Sequence, residues 1–183
     1  MAETILSGDT AGVVQNLSNF LEEHGPAIKS RIKTPLACFD VDETLLEWGA
    51  DDSSRRREEV ATLFNLAVKE GYKIYIITAR DKSQSGLAYL KTQLASLGFD
   101  THKIEKIYMM PSTESDVGQF KSDARSRIIQ QTGGKFVIMV GDQMTDVFRA
   151  PGSLNANRDF AHVFAAPDDG VVFGVKVSEM QDV

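Results

Sequence analysis

The chain has 183 residues, a length that suits one domain with one continuous hydrophobic core. Hydrophobic residues make up 42% and charged residues 25%, as in a typical soluble globular protein. The net charge of −6 argues against a protein whose main role is to coat nucleic acid. No apolar run could span a bilayer, so we predict no membrane partner.

The N-terminal sequence and the cysteine content bear on location. The chain begins without the basic start and apolar stretch of a secretory signal, which predicts a cytoplasmic protein. The one cysteine, Cys38, excludes an internal disulfide and is compatible with a reducing compartment.

Turn signals separate helix-like from strand-like segments along the chain. The first helix is predicted over about residues 10–24, where apolar residues recur at helical spacing until Gly25-Pro26. Further helices are predicted over residues 60–68, 87–97, 120–131 and 143–150, the last ending at Pro151. Strands are predicted over residues 36–39, 73–77, 104–109 and 136–140, with weaker ones over 161–164 and 171–175.

This alternation predicts an α/β fold: a three-layer Rossmann-like domain with a central, mainly parallel sheet of about five strands. We expect a single domain over residues 1–183, with a catalytic core over about residues 35–165. The strand over residues 136–140 is apolar throughout, as expected when helices cover both faces of the sheet. Ligands of such sheets bind beyond the carboxyl ends of the strands, so the polar residues there are the candidates for chemistry.

Reactive residues follow several of these strands. Asp40 and Asp42 leave the first strand, where a turn after Val41 can direct both toward one cavity. Asp142 and Asp146 are four residues apart and would share one face of a helical turn. Converging carboxylates repel one another, so a cation must join them, and Mg²⁺ with its oxygen ligands is the natural candidate.

Two further polar residues complete the set. Thr78 ends the second strand, and Lys121, at the start of the helix before the fourth strand, supplies a fixed positive charge. Taken singly, each of these residues has an ordinary structural explanation, such as a turn, a helix cap or a solvated surface charge. Their joint position at strand ends and helix starts is much harder to explain in that way.

In their order along the chain, these residues resemble the four motifs of the haloacid dehalogenase-like superfamily. The motifs are Asp40-Val41-Asp42-Glu43-Thr44, Thr78, Lys121 and Gly141-Asp142-Gln143-Met144-Thr145-Asp146. With Thr78-Ala79-Arg80 and Phe120-Lys121-Ser122 plus Arg125, the chain is similar to the capless acid phosphatases, which include bacterial class B enzymes and plant vegetative storage proteins. It departs from those relatives in lacking their usual secretory signal and in having Met144-Thr145 where Trp-Ser is common.

The resemblance implies a Mg²⁺-dependent phosphomonoesterase that acts through an aspartyl phosphate. Asp40 would be the nucleophile, and Asp42 would protonate the leaving group and then activate water. Mg²⁺ would be held by the Asp40 carboxylate, the Asp42 backbone carbonyl and Asp142, with Asp146 as a direct or water-mediated ligand. Thr78 would bind phosphoryl oxygens, and Lys121 would offset charge and orient Asp40.

Less secure substrate contacts are assigned to Thr44, Arg80 and Trp48. For Arg80, a structural ion pair and a phosphate contact are equally plausible. Trp48 is expected on a small flap near the entrance, where it either supports the flap or stacks on substrate. The basic run Arg55-Arg56-Arg57 could guide a polyanion, although such a run is more often a solvated helix face.

Superfamily members often carry a cap domain after the first or second strand, but these intervals have room here only for a turn or hairpin and for one helix and one strand. We therefore expect no cap domain and an open site.

The expected substrate is a phosphorylated small molecule. The alternatives are a polynucleotide or phosphoprotein phosphatase, and a non-catalytic storage or binding protein on the same fold. Nucleic acid is possible as a partner but not favoured, and the sequence leaves the oligomeric state open.

Overall fold

The computed structural model describes residues 3–149 and 156–179. Within these ranges the chain forms five α-helices and nine strands. The helices are α1 (Thr10–Glu23), α2 (Gly25–Arg31), α3 (Glu58–Lys69), α4 (Gln84–Ser96) and α5 (Val117–Thr132). The strands are β1 (Glu3–Gly8), β2 (Pro35–Phe39), β3 (Leu46–Trp48), β4 (Ser54–Arg56), β5 (Lys73–Asp81), β6 (Ile104–Met110), β7 (Lys135–Gly141), β8 (Ala161–Ala165) and β9 (Val171–Lys176).

Seven of the described strands form one sheet in the order β1-β8-β9-β7-β2-β5-β6. The five strands from β9 to β6 pair in parallel, and β8 and β1 extend the sheet in antiparallel fashion. The predicted α/β class with a mainly parallel sheet is confirmed, but the sheet has seven strands rather than about five. The first of them, β1, was not predicted because its pairing with distant β8 leaves little trace in a polar N-terminal sequence.

Helices cover both faces of the sheet, and the period-two alternation of strand side chains divides the core between them. Ala37 and Phe39 of β2 point toward the cluster that contains residues of α1, α3 and α4. Leu36 and Cys38 point to the opposite cluster, which contains Ala124 and Ile128 of α5. This arrangement is the expected three-layer architecture.

Within the described residues, the structure contains one helix that was not predicted and lacks one that was. Gly25-Pro26 ends α1 as expected, but the same residues begin α2, because a proline in the first turn of a helix loses no hydrogen bond. In place of the helix predicted from residue 143, the described part has a single 3₁₀ turn, Met144–Asp146. The predicted end of that helix, Ala150 before Pro151, lies outside the described residues.

The connections between elements leave the end of the central strand β2 open. The interval from β2 to α3 holds only the β3–β4 hairpin, and the interval from β5 to α5 holds α4, a 3₁₀ turn and β6. All residues of these two intervals are described, and no cap domain lies in them. Among the described helices, none is both long and apolar enough to cross a bilayer.

Candidate active site

The site lies where the strand order of the sheet changes direction. From β2 the chain proceeds to β5 and β6 on one side and later to β7 and β9 on the other. Ligands of open α/β sheets bind at such switch points, outside the carboxyl ends of the strands. Asp40 directly follows β2, and its backbone N–H donates to the Val140 carbonyl of β7 at 2.9 Å. Asp142 directly follows β7, so the sheet itself brings Asp40 and Asp142 together.

Lys121 of α5 is the cation at the centre of the site. Its Nζ donates to Oδ1 of Asp40 at 2.9 Å and also to Oδ1 of Asp146. All three side chains are shielded from solvent, with exposed fractions of 6% for Lys121, 11% for Asp40 and 3% for Asp146. Burial opposes the charge of Lys121, but Asp146 and Asp40 outweigh it and raise the pKa of the ammonium group.

Asp142 joins the two partners of Lys121 in a cluster of three carboxylates. Oxygens of Asp40, Asp142 and Asp146 lie within 4.8 Å of one another, a group that could hold a metal ion. Burial and the nearby Asp146 raise the pKa of Asp40 well above its usual range, and the same two causes raise the pKa of Asp142. The donor set is made only of hard oxygen ligands and carries an excess of negative charge, which suits Mg²⁺.

Thr44, in the loop that follows β2, binds the carboxylate of Asp40, the nucleophile candidate. The buried Thr44 hydroxyl donates to Oδ2 of Asp40 at 3.1 Å, so both oxygens of Asp40 have a donor. Glu43, just before Thr44, has a positive φ of 60°, a conformation that costs energy for a residue with a Cβ. The predicted contact of Thr44 with substrate stays a prediction.

Asp146 reaches the site by a route different from the predicted helical turn. Its second oxygen, Oδ2, accepts from the Gln143 backbone N–H at 3.0 Å, which anchors the carboxylate to the end of β7. A Cβ at Gly141 would overlap the Asp146 side chain, so glycine is required there for this close approach. Asp142 and Asp146 therefore converge through a strand end and a 3₁₀ turn rather than through one helix face.

Asp42, expected to face the same cavity as Asp40, has different partners. Arg80 donates through Nε to Oδ2 at 2.9 Å and through Nη2 to Oδ1 at 2.7 Å, and Trp48 Nε1 donates to Oδ1 at 3.1 Å. Burial disfavours the charge of Asp42, but the hydrogen bond and charge of Arg80 outweigh it and lower its pKa. The structure thus shows the ion pair for Arg80, and a contact of Arg80 with substrate stays a prediction.

A bulge in β5 positions Thr78 and Arg80. Thr78 pairs with Met109 and Asp81 with Met110, so the residues between them are extra in the β5 strand. The Arg80 backbone N–H donates to Thr78 Oγ1 at 3.2 Å, a contact that leaves the hydroxyl proton of the buried Thr78 free to face another acceptor. That is the geometry a phosphoryl-binding hydroxyl needs, and the role of Thr78 stays a prediction.

The three consecutive arginines separate into different environments. Arg55 is 67% exposed and lies 3.7 Å from Glu47, and Arg56 pairs with Glu58. Arg57 is instead buried and donates to the backbone carbonyls of Glu43 and Ser178, both at 2.8 Å. Arg57 therefore holds the loop of the candidate nucleophile, and guidance of a polyanion is possible only for Arg55 and Arg56.

Sequence reasoning missed one polar residue behind the site, Gln93 of α4. Its side-chain oxygen accepts from Nη1 of Arg80 at 2.9 Å, and its amide nitrogen donates to Ser54 Oγ at 3.2 Å. The only signal available in the sequence was a glutamine beside Leu90 and Leu94 on the apolar face of a helix.

Solved structures show what this fold is similar to. A class C acid phosphatase from Bacillus anthracis with tungstate bound aligns with a TM-score of 0.51 and 18% sequence identity. The alignment covers 71% of this chain, and the chain spans only 60% of the length of that relative. A hypothetical protein from Xanthomonas campestris aligns with a TM-score of 0.38 and 20% identity over 62% of this chain and 57% of its own.

The sequence comparisons identify the family. Among curated proteins, none matches the chain significantly. The model of HAD superfamily subfamily IIIB (acid phosphatase) matches residues 47–169, which is more than half of the chain and includes Thr78, Lys121 and Asp142. Asp40 and Asp42 precede the matched range, so the match does not bear on their predicted roles. The chain belongs to the HAD superfamily, subfamily IIIB, the acid phosphatase subfamily.

Proposed function

We propose that the protein is a Mg²⁺-dependent phosphomonoesterase that forms an aspartyl phosphate on Asp40. The observation that carries the proposal is the buried Asp40 carboxylate, held by Lys121 beside Asp142 and Asp146 at the end of the central strand. Family membership supports phosphate ester hydrolysis as the reaction class.

The charges of the site define the main obstacle to the reaction. Two like unit charges about 4 Å apart repel by about 4 kcal/mol at an effective dielectric constant of about 20, and a phosphate dianion raises this cost. Asp40, Asp142 and Asp146 would hold Mg²⁺, together with the predicted Asp42 backbone carbonyl. When bound, Mg²⁺ would supply positive charge that offsets this repulsion.

In the proposed reaction, Asp40 forms and breaks the bond to phosphorus, and Asp42 transfers the protons. An oxygen of Asp40 attacks phosphorus while the bond to the leaving oxygen breaks, and that oxygen takes a proton from Asp42. In the second step Asp42 takes a proton from water, the resulting hydroxide attacks phosphorus, and the bond to Asp40 breaks. Lys121 keeps Asp40 oriented throughout, and the Thr78 hydroxyl donates to a phosphoryl oxygen.

The substrate class follows from the openness of the site. The Asp42 side chain and Trp48 remain about two-fifths exposed. Between β2 and α3, where all residues are described, the only regular elements are the two strands of the β3–β4 hairpin. Few protein atoms then surround the leaving group, so discrimination among small phosphomonoesters is expected to be weak. A phosphorylated small molecule is therefore the proposed substrate.

Hydrolysis of an aryl phosphate with and without Mg²⁺ tests this proposal. Asp40→Asn should abolish turnover and the acid-stable, hydroxylamine-sensitive phosphoprotein that acid quenching traps, because the amide cannot act as the nucleophile. Asp123→Asn, an exposed aspartate on α5, is the matched control and should behave as the wild type. Undiminished turnover in Asp40→Asn, or after complete chelation of divalent ions, would exclude the mechanism.

A further inference from the structure

We propose that Gln93 is a positioning residue that connects the β3–β4 hairpin to Asp42 through Arg80, so that Asp42 is aligned only while the hairpin is in place. The inference rests on the proposed function for its catalytic consequence. Its structural part concerns hydrogen bonds that exist whether or not the protein hydrolyses phosphate esters.

The first half of the connection is the guanidinium of Arg80. Nε and Nη2 bind the two oxygens of Asp42, and Nη1 binds the side-chain oxygen of Gln93. Three donors of one planar group are thereby directed at three acceptor oxygens on two residues that lie far apart in the sequence. Because the guanidinium is rigid, fixing Nη1 also fixes the plane in which Asp42 is bound.

The second half of the connection is the amide of Gln93. A guanidinium only donates, so the amide oxygen must face Arg80, and the amide nitrogen then faces Ser54 of β4. Gln93 is buried on α4, where losing either partner would leave a polar group unsatisfied. The amide is therefore suited to bridge a cation on one side and a hydroxyl on the other.

The hairpin closes the connection into a ring. Ser54 lies opposite Trp48 in the β3–β4 pairing, and Trp48 Nε1 donates to the same Asp42 oxygen that Arg80 Nη2 binds. The hairpin thus reaches Asp42 directly through Trp48 and indirectly through Ser54, Gln93 and Arg80. Displacing the hairpin breaks both routes at once, whereas removing Gln93 breaks only the indirect one.

Trp48 is the only tryptophan of the chain, so its fluorescence reports the position of the hairpin. In Gln93→Leu and in Ser54→Ala we expect acrylamide to quench Trp48 more strongly than in the wild type, with emission shifted to longer wavelength. The double variant should be quenched no more than Gln93→Leu alone, because both changes break the same route. Gln130→Leu, an exposed glutamine of α5, is the matched control.

The kinetic test compares an alkyl phosphate with a nitrophenyl phosphate at one pH and saturating Mg²⁺. General acid catalysis contributes roughly 10²–10⁴-fold and matters most for poor leaving groups. We therefore expect Gln93→Leu to lower kcat about tenfold for the alkyl ester but less than about twofold for the nitrophenyl ester, with KM nearly unchanged. Ser54→Ala should show the same pattern to a smaller extent. It replaces Gln93→Leu in this test if Gln93→Leu does not fold.

The outcomes separate this inference from the proposed function. Wild-type quenching and a wild-type ratio of the two kcat values in both variants would overturn it. Increased quenching with an unchanged kcat ratio would also overturn it, because the hairpin would then move without affecting Asp42. Absence of any phosphatase activity in the wild type would refute the proposed function instead, and the quenching of Trp48 would still test the ring of hydrogen bonds.

Discussion

Lys121 and Arg80 each bind aspartates of the candidate site, but their surroundings differ. Lys121, Asp40 and Asp146 are almost fully shielded from solvent. The side chain of Asp42, the partner of Arg80, is 41% exposed. In the first group burial raises the pKa of Asp40, whereas in the second Arg80 outweighs burial and lowers the pKa of Asp42.

In the proposed mechanism this difference corresponds to two separate tasks within one site. The buried group collects more negative charge than Lys121 can balance, as a site for a cation and a phosphoryl group requires. The open group is balanced by its own hydrogen bonds, and in the proposed mechanism it exchanges protons with the leaving group and with water. Variants that change one group at a time test this division.

Replacing Lys121 should have the largest effect. Lys121→Met leaves Asp40 and Asp146 without their common partner, and breaking a buried pair in this way typically costs about 3–5 kcal/mol. Arg80→Met removes a partly exposed pair and also leaves the side-chain oxygen of Gln93 without its donor, for which about 1–3 kcal/mol in total is expected. Urea unfolding of the metal-free variants at neutral pH measures both free energies, and turnover should be lost in Lys121→Met. Equal destabilisation of the two variants would contradict the comparison.

Replacing Asp42 should affect catalysis more than folding. Asp42→Asn should slow hydrolysis of an alkyl phosphate by roughly 10²–10⁴-fold, and formation of the phosphoprotein from a nitrophenyl ester by much less. Because the lowered pKa of Asp42 keeps it mostly ionised, the wild-type rate with poor leaving groups should rise as pH falls. Rapid-quench measurements of the first turnover test this, and equal losses for both esters in that step would exclude the general-acid role.

The pH dependence of stability should have opposite signs for the two groups. Asp40 has a raised pKa, so the metal-free folded state binds more protons than the unfolded state above about pH 4, and its stability falls as pH rises toward the folded pKa. Asp42 has a lowered pKa, so its contribution is present above about pH 4 and is lost as pH falls through the folded pKa.

Thermal unfolding across this range, without metal, measures the two contributions. At neutral pH, Asp40→Asn should be at least as stable as the wild type, because an amide removes one charge from the crowded cluster. Asp42→Asn should be less stable than the wild type at neutral pH and approach it in acid. A loss of stability in Asp40→Asn at neutral pH would show that Lys121 already balances the buried charges without Mg²⁺.

The same comparison shows what the sequence could and could not predict. Asp40, Thr78, Lys121 and Asp142 could be selected because buried parallel strands are apolar and each polar residue follows an apolar run or lies on the next helix, although β5 continues past Thr78 to Asp81. The partners of Asp42 depend instead on a bulge in β5, on the rotation of α4 and on a hairpin. None of these has a periodic signal, so the ring through Gln93 could not be predicted.

The sequence also could not show which of several identical neighbouring residues is buried. Arg55, Arg56 and Arg57 are identical in type, and only the tertiary structure shows that Arg57 is buried against Glu43 and Ser178 while Arg55 is exposed and Arg56 is half-buried. The edge strand β1 is similar, because its six residues acquire their conformation by pairing with β8, which follows more than 150 residues later. Such long-range contacts decide local structure without leaving a local pattern.

The smallest expected effect concerns Arg55 and the half-buried Arg56, and it tests whether residues near the open group also contact long substrates. Arg55→Gln with Arg56→Gln should lower kcat/KM for a phosphorylated oligonucleotide about twofold to fivefold at low salt, if these residues guide a polyanion. The aryl phosphate should hardly be affected, since it carries no further phosphates, and the loss should shrink at high salt because exposed charges are screened. Arg57 is left intact, because changing it would disturb the Glu43 loop and lower the rate for both substrates. Equal losses for the oligonucleotide and the aryl phosphate, or a loss that salt does not reduce, would remove any role of Arg55 and Arg56 in guidance.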